Sequence, residues 1–419
     1  MSTMVRDRPS LESAHTRALP APSPLLYLTD PPPTVDLVII GGGIVGAATA
    51  FHAARAGLRP LIVERRPALC SLTTAVATGG YRLQFDNPVE LALVRQTMDL
   101  LNNFEEVTGQ HHYTPQVRPQ GYLWLTANER VAARQRDLVA RQHGWGQTDI
   151  ELLSQDELRY RFPFLSGTAL QARFRQGDGF LNPRQVAMGL MTGARARVVV
   201  DCGVLGFQIT DGRLAGVETS RGVISTRHAV IACGPLSGML AASAGIDLPI
   251  TTIRRQKVIL PEARIVPPET PMVIDEDTGV HWRPAMQGAY LLFSDPRTPP
   301  SPPTEQVPTD DSMVFQLLNP NSPLALARLA PFWRRLWEHN TVSWCMQAGQ
   351  YTMTPDHLPL IGPSSIEGLW VHTGYNGHGV MLSPAAAKLL IDALIGVITP
   401  SDNPFRLDRV FADREHVSL

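Results

Sequence analysis

Three glycines and one carboxylate form the pattern in this sequence that points most directly to chemistry. They lie in the segment Asp36–Glu64, with glycines at 41, 43 and 46 and the acid at 64. Gly41 allows a tight turn, Gly43 lets the backbone approach a pyrophosphate, and Gly46 lets a helix lie close to a sheet. An acid at this spacing, Glu64, is placed to hydrogen-bond the hydroxyls of a ribose. The four residues predict a dinucleotide site, with NAD and FAD both open.

The elements that must position these residues are visible on either side of the glycines. Leu37–Ile40 is an apolar run typical of a buried strand, a helix of small residues follows, and Leu61–Val63 has the pattern of a second buried strand. In such a βαβ unit, the free N–H groups and the positive dipole end of the helix face the phosphates. The context therefore supports the glycine pattern, which by itself is weak evidence.

Two later glycine turns could approach the same ligand. The segment 229–237, AVIACGPLS, has the pattern of a short strand that ends in a glycine, which plain structural turns share. Further on, GYNGHG at 374–379 lies between a predicted strand, Leu369–His372, and a predicted helix from Pro384 to about Ile395. Glycines at such a junction let the backbone approach a flat ligand.

Composition places the chain among globular proteins large enough for two interleaved domains. It has 419 residues, of which 44% are hydrophobic and 18% charged, and its net charge of −1 gives no reason to expect nucleic acid or an anionic membrane as a partner. The four cysteines are widely spaced, which argues against a disulfide framework or a zinc site and fits a reducing compartment. No apolar stretch has the length of a membrane span. We therefore expect a cytoplasmic protein without a metal site.

The first 33 residues differ from the rest of the chain. They are rich in proline and serine, show no sustained apolar period and end in three prolines, so we expect a disordered leader at 1–33. They contain no apolar core of a secretory signal. Their arginines and serines are typical of a transit peptide and their acids are not, so import into an organelle stays open.

Four stretches together resemble the D-amino acid oxidase and sarcosine oxidase family of FAD-dependent flavoproteins of the glutathione-reductase type. They are the GGGIVG unit through Glu64, the loop 73–82, the AVIACG strand, and the block from TPDHLPLIGP to GYNGHGVMLSP, in the family's order. The likeness covers about residues 36–398. It implies an α/β fold in which a Rossmann-like FAD-binding domain is interleaved with an antiparallel-sheet α+β substrate domain.

The order of these stretches along the chain implies discontinuous domains. We expect the FAD-binding domain to comprise 34–85, 190–240 and 345–398, the substrate or cap domain to comprise 86–189 and 241–344, and a C-terminal tail to follow at 399–419.

The resemblance also implies which residues hold FAD. By position, Glu64 would bind the adenosine ribose, Val204 would present its backbone to the adenine, and Asn376–Met381 would line the pyrimidine end of the flavin. The full set implied in this way is Gly41, Gly43, Ile44, Val45, Gly46, Glu64, Arg65, Thr73, Thr74, Gly79, Gly80, Val204, Cys233, Gly234, Gly374, Asn376, Gly377, His378, Gly379, Val380 and Met381.

Departures from the family pattern bear on how the flavin is held. Where sarcosine-oxidase-like members attach the flavin through a cysteine, this chain has Gly349, and where dimethylglycine-type members use a histidine it has Val76. We therefore expect non-covalent FAD. We interpret Cys345 as a small buried hydrophobe rather than an attachment point.

Two further departures touch the reaction. The family lysine that activates oxygen corresponds to Leu291, which favours a dehydrogenase over a fast oxidase. The lysine that helps to bind the substrate carboxylate corresponds to Met381, so either the substrate is an amine without a carboxylate or another residue binds that group.

Five residues are candidates for contact with a substrate. Arg82 follows two glycines in the loop expected beside the flavin and suits bidentate binding of a carboxylate, although a structural ion pair explains it equally well. His281 and Arg283 alternate onto one face of a strand expected to cover the flavin. A lone histidine on a strand is more often structural. Tyr290 and Tyr351 fit a substrate wall and a core equally.

These features predict an FAD-dependent amine or amino acid oxidase or dehydrogenase. It would move hydride equivalents from the α-carbon of a sarcosine-, proline- or D-amino-acid-like amine to flavin N5, giving an imine that hydrolyses. Oxygen or an electron carrier would reoxidise the flavin, and a homo- or hetero-oligomer is open. Two alternatives stand beside this reading. The loop TGGYRLQF resembles a mitochondrial assembly factor, which permits an FAD-bearing assembly or scaffold protein, and the chain could be one subunit of a larger dehydrogenase.

Overall fold

The computed structural model describes residues 25–295, 297–339 and 342–412. The strands are β1 (Leu26–Tyr27), β2 (Leu37–Ile40), β3 (Pro60–Val63), β4 (Gly80–Tyr81), β5 (Tyr122–Thr126), β6 (Glu151–Ser154), β7 (Gln171–Arg175), β8 (Gly179–Phe180), β9 (Arg197–Val199), β10 (Val204–Thr210), β11 (Arg213–Thr219), β12 (Gly222–Ser225), β13 (Ala229–Ile231), β14 (Thr251–Leu260), β15 (Met272–Asp275), β16 (Val280–Ala285), β17 (Gly288–Phe293), β18 (Cys345–Met353), β19 (Leu360–Pro363) and β20 (Leu369–Thr373). The helices are α1 (Ile44–Arg55), α2 (Thr73–Val76), α3 (Pro88–Asn102), α4 (Phe104–Thr108), α5 (Glu129–Gly144), α6 (Gln155–Arg161), α7 (Pro183–Gly193), α8 (Ser237–Ala242), α9 (Ser312–Leu318), α10 (Phe332–His339) and α11 (Gly379–Leu394).

A seven-stranded sheet carries the glycine turn and forms one part of the molecule. Its order is β1-β9-β3-β2-β13-β20-β19, and the pairs are parallel except for the antiparallel edge strand β19. Leu37 and Ile39 pack on the side of α1, α3, α7 and α11, whereas Val38 and Ile40 pack on the side of α8 and the sheet β10-β11-β12. A strand buried on both faces needs an unbroken apolar run, which explains the sequence of β2.

An eight-stranded sheet forms the second part of the molecule. Its order is β18-β14-β17-β16-β15-β5-β7-β6, antiparallel except for the parallel pair of β15 and β5. Val258, Trp282 and Leu291 lie on one face and pack against α9 and α10. Side chains of a strand alternate between faces, so the neighbours of these residues point to the other face. The two sheets confirm the predicted fold class, a Rossmann-like domain interleaved with an antiparallel-sheet domain.

The strand β18 and two helices depart from the predicted division of the chain. β18 begins at residue 345, where the FAD-binding domain was expected to resume, yet it pairs with β14 in the eight-stranded sheet. α3 and the part of α7 up to residue 189 fall within the stretch expected to belong to the substrate domain, yet the apolar faces of both helices pack in the core beside the seven-stranded sheet. Pairing and packing between residues far apart in the sequence decide to which domain each of these elements belongs.

The ends of the chain also differ in part from expectation. Residues 1–24 of the predicted leader, and residues 413–419, lie outside the described residues. For the rest of the leader the prediction of disorder is wrong, because Leu26–Tyr27 pairs in parallel with β9 at the edge of the sheet. In the predicted C-terminal tail, Phe405 is buried. Among the helices that the structure describes, none has both the length and the apolar character needed to cross a bilayer.

Candidate active site

The turn between β2 and α1 depends on glycines. Gly41 has a φ of +115°, and a Cβ there would lie 2.7 Å from the carbonyl oxygen of Ala232. A Cβ on Gly46 would lie 2.0 Å from the carbonyl oxygen of Gly41, so only glycine lets α1 pack this closely against the turn. α1 begins after Gly43 without a side-chain cap, so most of its first N–H groups remain for an anionic ligand.

Glu64 and Thr74 hold this turn through hydrogen bonds to backbone groups. The N–H of Gly42 donates to Glu64 Oε2 at 2.7 Å, and the N–H of Arg66 donates to Glu64 Oε1 at 2.9 Å. The N–H of Ile44 donates to Thr74 Oγ1 at 3.1 Å. Glu64 and Thr74 both line the cavity next to the turn, so they are placed to contact a ligand there.

A cavity of about 500 Å³ lies where the two sheets meet. The glycine turn, the loop from 70 to 82, the ends of β3 and β13 and the start of α11 all reach it, which is the arrangement that a long dinucleotide requires. The predicted cofactor residues that line it are Gly41, Gly43, Ile44, Val45, Glu64, Arg65, Thr73, Thr74, Gly79, Gly80, Val204, Cys233, Gly234, Gly377, His378, Gly379, Val380 and Met381.

Three predicted cofactor residues do not line the cavity, contrary to expectation. Gly46 lies behind the turn, and a Cβ on Gly374, whose φ is +77°, would lie 2.7 Å from Thr354 Cγ2. The side chain of Asn376 accepts from the N–H of Thr354 at 2.8 Å and donates to the carbonyl of Gly374 at 2.7 Å. These residues shape the turns, and their neighbours line the cavity.

One face of the eight-stranded sheet forms a wall of the cavity. Leu292 of β17 pairs with Lys257 of β14 on one side and with His281 of β16 on the other, and all three line the cavity. Arg255 of β14 and Tyr351 of β18 belong to the same face. The pleat therefore gathers two cations, an imidazole and a phenol on one surface.

Arg82 is the predicted substrate-binding arginine that the structure places at the cavity. Its Nη2 donates to His378 Nε2 at 3.1 Å, and His378 Nδ1 lies 3.4 Å from Glu90 Oε1. Its guanidinium carbon lies 5.0 Å from the ring centre of Phe85 and 5.4 Å from that of Trp124. The side chain is buried, and its Nε has no hydrogen-bond partner among the described residues. A buried guanidinium with an unused donor fits a site for an anionic ligand.

His281 and Tyr351, both predicted candidates, line the cavity in uncharged form. Desolvation lowers the pKa of His281 to about 4, although its Nδ1–H donates to the carbonyl of Gly279 at 2.9 Å; the charges of Arg82 and Arg255 lower it further. Desolvation raises the pKa of Tyr351, which the same two arginines oppose. Near neutral pH the two arginines therefore dominate the charge at this end of the cavity.

Arg283 and Tyr290, predicted to contact the substrate, do not line the cavity. Arg283 Nε donates to the carbonyl of Thr78 at 3.0 Å, and its Nη1 donates to the carbonyl of Pro284 at 2.9 Å. Its guanidinium carbon lies 4.5 Å from the ring centre of Tyr290, and Lys257 Nζ lies 4.3 Å from the same centre. The buried guanidinium satisfies its donors on the loop carbonyl of Thr78 and the β16 carbonyl of Pro284, so Arg283 holds the loop against the sheet.

Lys257 lies at the cavity although sequence patterns did not single it out. Its Nζ donates to the carbonyl of Val76 at 2.8 Å, and burial lowers the pKa of Lys257 to about 7, assisted by the charge of Arg283. Leu291, expected over the flavin face in place of a lysine, points into the core on the opposite face. That expectation is wrong because the pleat brings Leu292 to the cavity, so Leu291 carries no argument for a dehydrogenase.

Arg255 is a second cavity residue that the sequence patterns did not single out. Arg255 and Lys257 stand two apart in the strand TTIRRQKVIL, and this alternation is the signal that could have paired them. The sequence does not tell which face of β14 meets the cavity, because that depends on pairing with β17 and β18.

The two positions that the resemblance implies for flavin attachment, Gly349 and Val76, carry no nucleophile. A Cβ on Gly349 would lie 2.7 Å from Val76 Cγ2, so the two positions are adjacent. Cys345 does not line the cavity, and it is exposed, so its interpretation as a buried residue is wrong. Cys70 and Cys233 line the cavity, but burial raises the pKa of their thiols to about 12 and about 11, which disfavours the reactive thiolate.

The residues at the cavity fit the expected FAD. A Cβ on Gly43 would come 3.2 Å from Thr74 Oγ1, so glycine leaves room for a ligand at this point. The start of α1 offers N–H groups to a pyrophosphate. From there the cavity continues to Arg82 and the sheet wall, which leaves room for an extended ligand. Within the described ranges, no group of His, Cys, Asp and Glu could hold a metal ion.

Known proteins resemble this chain over most of its length. The family model for FAD dependent oxidoreductases, DAO, matches residues 36–393. Glycine oxidase of Pseudomonas aeruginosa is 27% identical over 371 residues, which cover 86% of this chain and 94% of that protein. Mitochondrial dimethylglycine dehydrogenase of Rattus norvegicus is 26% identical over 391 residues, which cover 88% of this chain and 44% of that protein. This chain thus matches less than half of the longer relative.

The fold is shared with a solved structure. Glycine oxidase from Geobacillus kaustophilus superposes with a TM-score of 0.77 at 22% identity, and the match covers 91% of this chain and 100% of that one. A similarity at this identity concerns the fold alone. With the family model matching most of the chain around a cavity that fits the cofactor, the protein belongs to the DAO family of FAD-dependent oxidoreductases, and its cofactor is FAD.

Proposed function

We propose that the protein oxidises the C–N bond of an amino acid, a primary or secondary amine that carries a carboxylate. The observation that carries this proposal is Arg82, a buried guanidinium at the cavity with an unused donor. Arg82 lies beside aromatic rings and donates to the imidazole of His378, which leaves its Nε free to donate to a ligand. Planar guanidinium groups bind carboxylates in a bidentate manner.

The distribution of charge in the cavity supports an anionic substrate. Among the described residues that line it, the carboxylates are Glu64 and Glu305, and both lie at the nucleotide end. Glu64 holds the glycine turn, and Glu305 pairs with Arg65 at 2.7 Å. The sheet wall around His281 contributes cations and no acid. A substrate carboxylate would supply the missing negative charge.

The same charges favour the reactive form of the substrate amine. A cation near an ammonium group lowers the pKa of that group, so Arg82 and Arg255 favour the neutral amine, whose lone pair assists loss of hydride from the α-carbon. Neutral His281 and Tyr351 line the same cavity and can accept or donate a hydrogen bond to that amine. FAD, when bound, accepts the hydride equivalents, and the imine that forms hydrolyses.

The absence of a lysine at Met381 is consistent with this proposal. Met381 lines the cavity and offers no charge, so another residue must bind the carboxylate, and Arg82 meets that requirement. The names of two relatives agree with a carboxylate on the substrate, since glycine and dimethylglycine both carry one. We also propose that FAD is bound non-covalently, because Gly349 and Val76, at the attachment positions, have no nucleophilic side chain.

The test is anaerobic bleaching of the bound flavin by matched pairs of amines. Glycine, sarcosine, alanine and proline, the last two as both enantiomers, are compared with methylamine, dimethylamine, ethylamine and pyrrolidine. We expect bleaching by at least one carboxylate-bearing amine and none by its decarboxylated partner. Arg82→Met should raise the concentration for half-maximal bleaching by about tenfold to a hundredfold, the effect of one hydrogen bond to a charged group.

Arg264→Met provides the matched control, because Arg264 is exposed and pairs with Glu262 away from the cavity. Equal bleaching by an amine and its carboxylated partner would contradict the role of Arg82. If no amine bleaches the flavin, the oxidase or dehydrogenase function fails, and the assembly or scaffold alternative gains support.

A further inference from the structure

Arg255 is a charged residue of the cavity that has no role if the substrate carries one carboxylate and Arg82 binds it. It lies on β14 opposite Gly349 of β18, a position without a side chain. Its Nη1 donates to the carbonyl of Asp295 at 3.3 Å. The carboxylate of Asp295 is taken by Arg297, whose Nε and Nη2 both lie 3.0 Å from its oxygens. Arg255 therefore has no ion pair among the described residues.

Arg255 and Arg82 reach the cavity from different elements. Arg82 comes from the loop after β4 and is held by His378, whereas Arg255 stands on the sheet wall two residues from Lys257. Their charges act on the same two residues, since both lower the pKa of His281 and oppose the rise at Tyr351. Both guanidinium groups line the cavity, Arg82 from the loop and Arg255 from the sheet wall that also carries His281 and Tyr351.

A partly buried guanidinium without an acid can pair with an anionic group on a ligand. One carboxylate occupies one bidentate guanidinium, and Arg82 already serves this role in the proposed function. The acids that line the cavity, Glu64 and Glu305, are engaged with backbone N–H groups and with Arg65 and Arg66. A second anionic group on the ligand is the partner that Arg255 lacks.

We propose that the substrate is a dianionic amino acid, with a second carboxylate on its side chain or on its N-substituent, and that Arg255 binds this second group. The inference rests on the proposed function, because it concerns the same site and the same reaction. Arg255 is then a specificity-determining residue. It selects dicarboxylic over monocarboxylic amines.

Two pairs of nearly equal shape, and one pair that differs by a single carboxylate, test the proposal on the FAD-loaded protein. Aspartate is compared with asparagine and glutamate with glutamine, each as both enantiomers, and iminodiacetate with sarcosine. The concentration for half-maximal anaerobic flavin reduction is measured. We expect at least one dicarboxylate to act at a concentration about tenfold or more below that of its neutral partner, as one charge-assisted hydrogen bond implies.

Substitutions in β14 test whether Arg255 causes the preference for the dicarboxylate. Arg255→Met should abolish the difference within the pair, and Arg255→Lys should keep part of it. Arg254→Met is the matched control, because Arg254 is the neighbouring residue, does not line the cavity and donates to the carbonyl of Pro308 at 3.2 Å. It should keep the full difference.

A binding measurement removes dependence on turnover. Glutarate and butyrate are titrated into the oxidised protein, and the change in flavin absorbance gives their dissociation constants. We expect glutarate to bind more tightly than butyrate in the wild-type protein and equally weakly in Arg255→Met.

Two results would overturn the proposal while leaving the proposed function intact. One is that neutral and dicarboxylic partners reduce the flavin equally well. The other is that Arg255→Met weakens both partners by the same factor. Failure of every amino acid to reduce the flavin is a different result, which removes the proposed function itself.

Discussion

At the scale of single residues, cations in and beside the cavity donate to a histidine or to backbone carbonyls rather than to carboxylates. Arg82 donates to a histidine, Lys257 to the carbonyl of Val76 and Arg283 to the carbonyl of Thr78. Buried charges are usually matched by an opposite charge, so such a set keeps a positive potential toward whatever occupies the cavity. Burial of a cation without an opposite charge costs free energy. Of these three residues, Lys257 is the one that can avoid this cost by losing its proton.

Lys257→Met should flatten the pH dependence of stability in the neutral to alkaline range. Burial lowers the pKa of Lys257 from 10.5 to about 7, so between these values the unfolded state holds one proton more than the folded state. The free energy of unfolding therefore rises with pH in this interval, by at most about 1.4 kcal/mol per pH unit from this residue. Below about pH 7 both states hold the proton and the slope vanishes.

Urea unfolding of the FAD-loaded protein at several pH values in this interval measures the effect. The difference between wild-type and Lys257→Met curves isolates this group from other titrations. Lys388→Met is the control, because Lys388 is exposed and pairs with Asp392 on α11. Parallel curves for the wild-type protein and Lys257→Met would show that Lys257 does not titrate as its burial implies.

At the scale of elements, the loop between α2 and β4 joins the two sheets. Thr74 on α2 receives the N–H of Ile44 at the start of α1, which ties the loop to the nucleotide turn. Arg283 and Lys257 hold the carbonyls of Thr78 and Val76 from the eight-stranded sheet. The loop is thus fixed from both sides, and residues along it line the cavity.

Arg283→Met should loosen this loop and weaken FAD binding. Loss of charge-assisted hydrogen bonds to Thr78 costs about 1.5–3 kcal/mol, so the dissociation constant of FAD should rise by about tenfold or more. Amide hydrogen exchange of residues 77–80 should accelerate. With FAD at saturation, the substrate concentration for half-maximal flavin reduction should stay close to that of the wild-type protein.

Hydrogen exchange and FAD affinity distinguish a role of Arg283 in holding the loop from a role in binding the substrate. Arg264→Met, an exposed change on the same part of the chain, should alter neither exchange nor FAD affinity. A variant of Arg283 that keeps both properties but loses substrate affinity would restore the role that its position on the strand first suggested.

Local patterns predicted the nucleotide-binding unit well and the substrate face poorly, for physical reasons. Leu37–Ile40 is confirmed as a strand because a strand buried on both faces imposes an apolar run on its own residues. Leu291 was placed on the wrong face because a shift of one residue inverts a strand, and the sequence contains no marker of that register. Arg255 was missed because its surroundings come from strands distant in sequence.

At the scale of the whole molecule, a proline-rich segment links the two sheets at the nucleotide end. This segment follows β17 and runs along the edge of the eight-stranded sheet, where the N–H of Thr304 donates to Gln350 Oε1 at 2.9 Å. Its Glu305 reaches across to Arg65 at 2.7 Å and to Arg66 at 3.2 Å, directly after Glu64. All four charged residues line the cavity, so the segment closes the cavity beside Glu64.

Glu305→Gln should accelerate release of FAD in a salt-dependent way. The ion pairs are partly exposed, with 31% of the Glu305 side chain accessible, so their contribution is about 1 kcal/mol or less and the dissociation rate should rise by no more than about fivefold. Added salt screens such pairs, so the wild-type rate should approach that of the variant at high ionic strength. The recovery of flavin fluorescence after dilution gives both rates.

Glu262→Gln, which removes the exposed pair with Arg264 at 3.0 Å, should leave the release unchanged. A difference between Glu305→Gln and wild type that persists in high salt would mean that Glu305 acts through shape or hydrogen bonding, and equal rates at low salt would mean that the segment does not retain the cofactor.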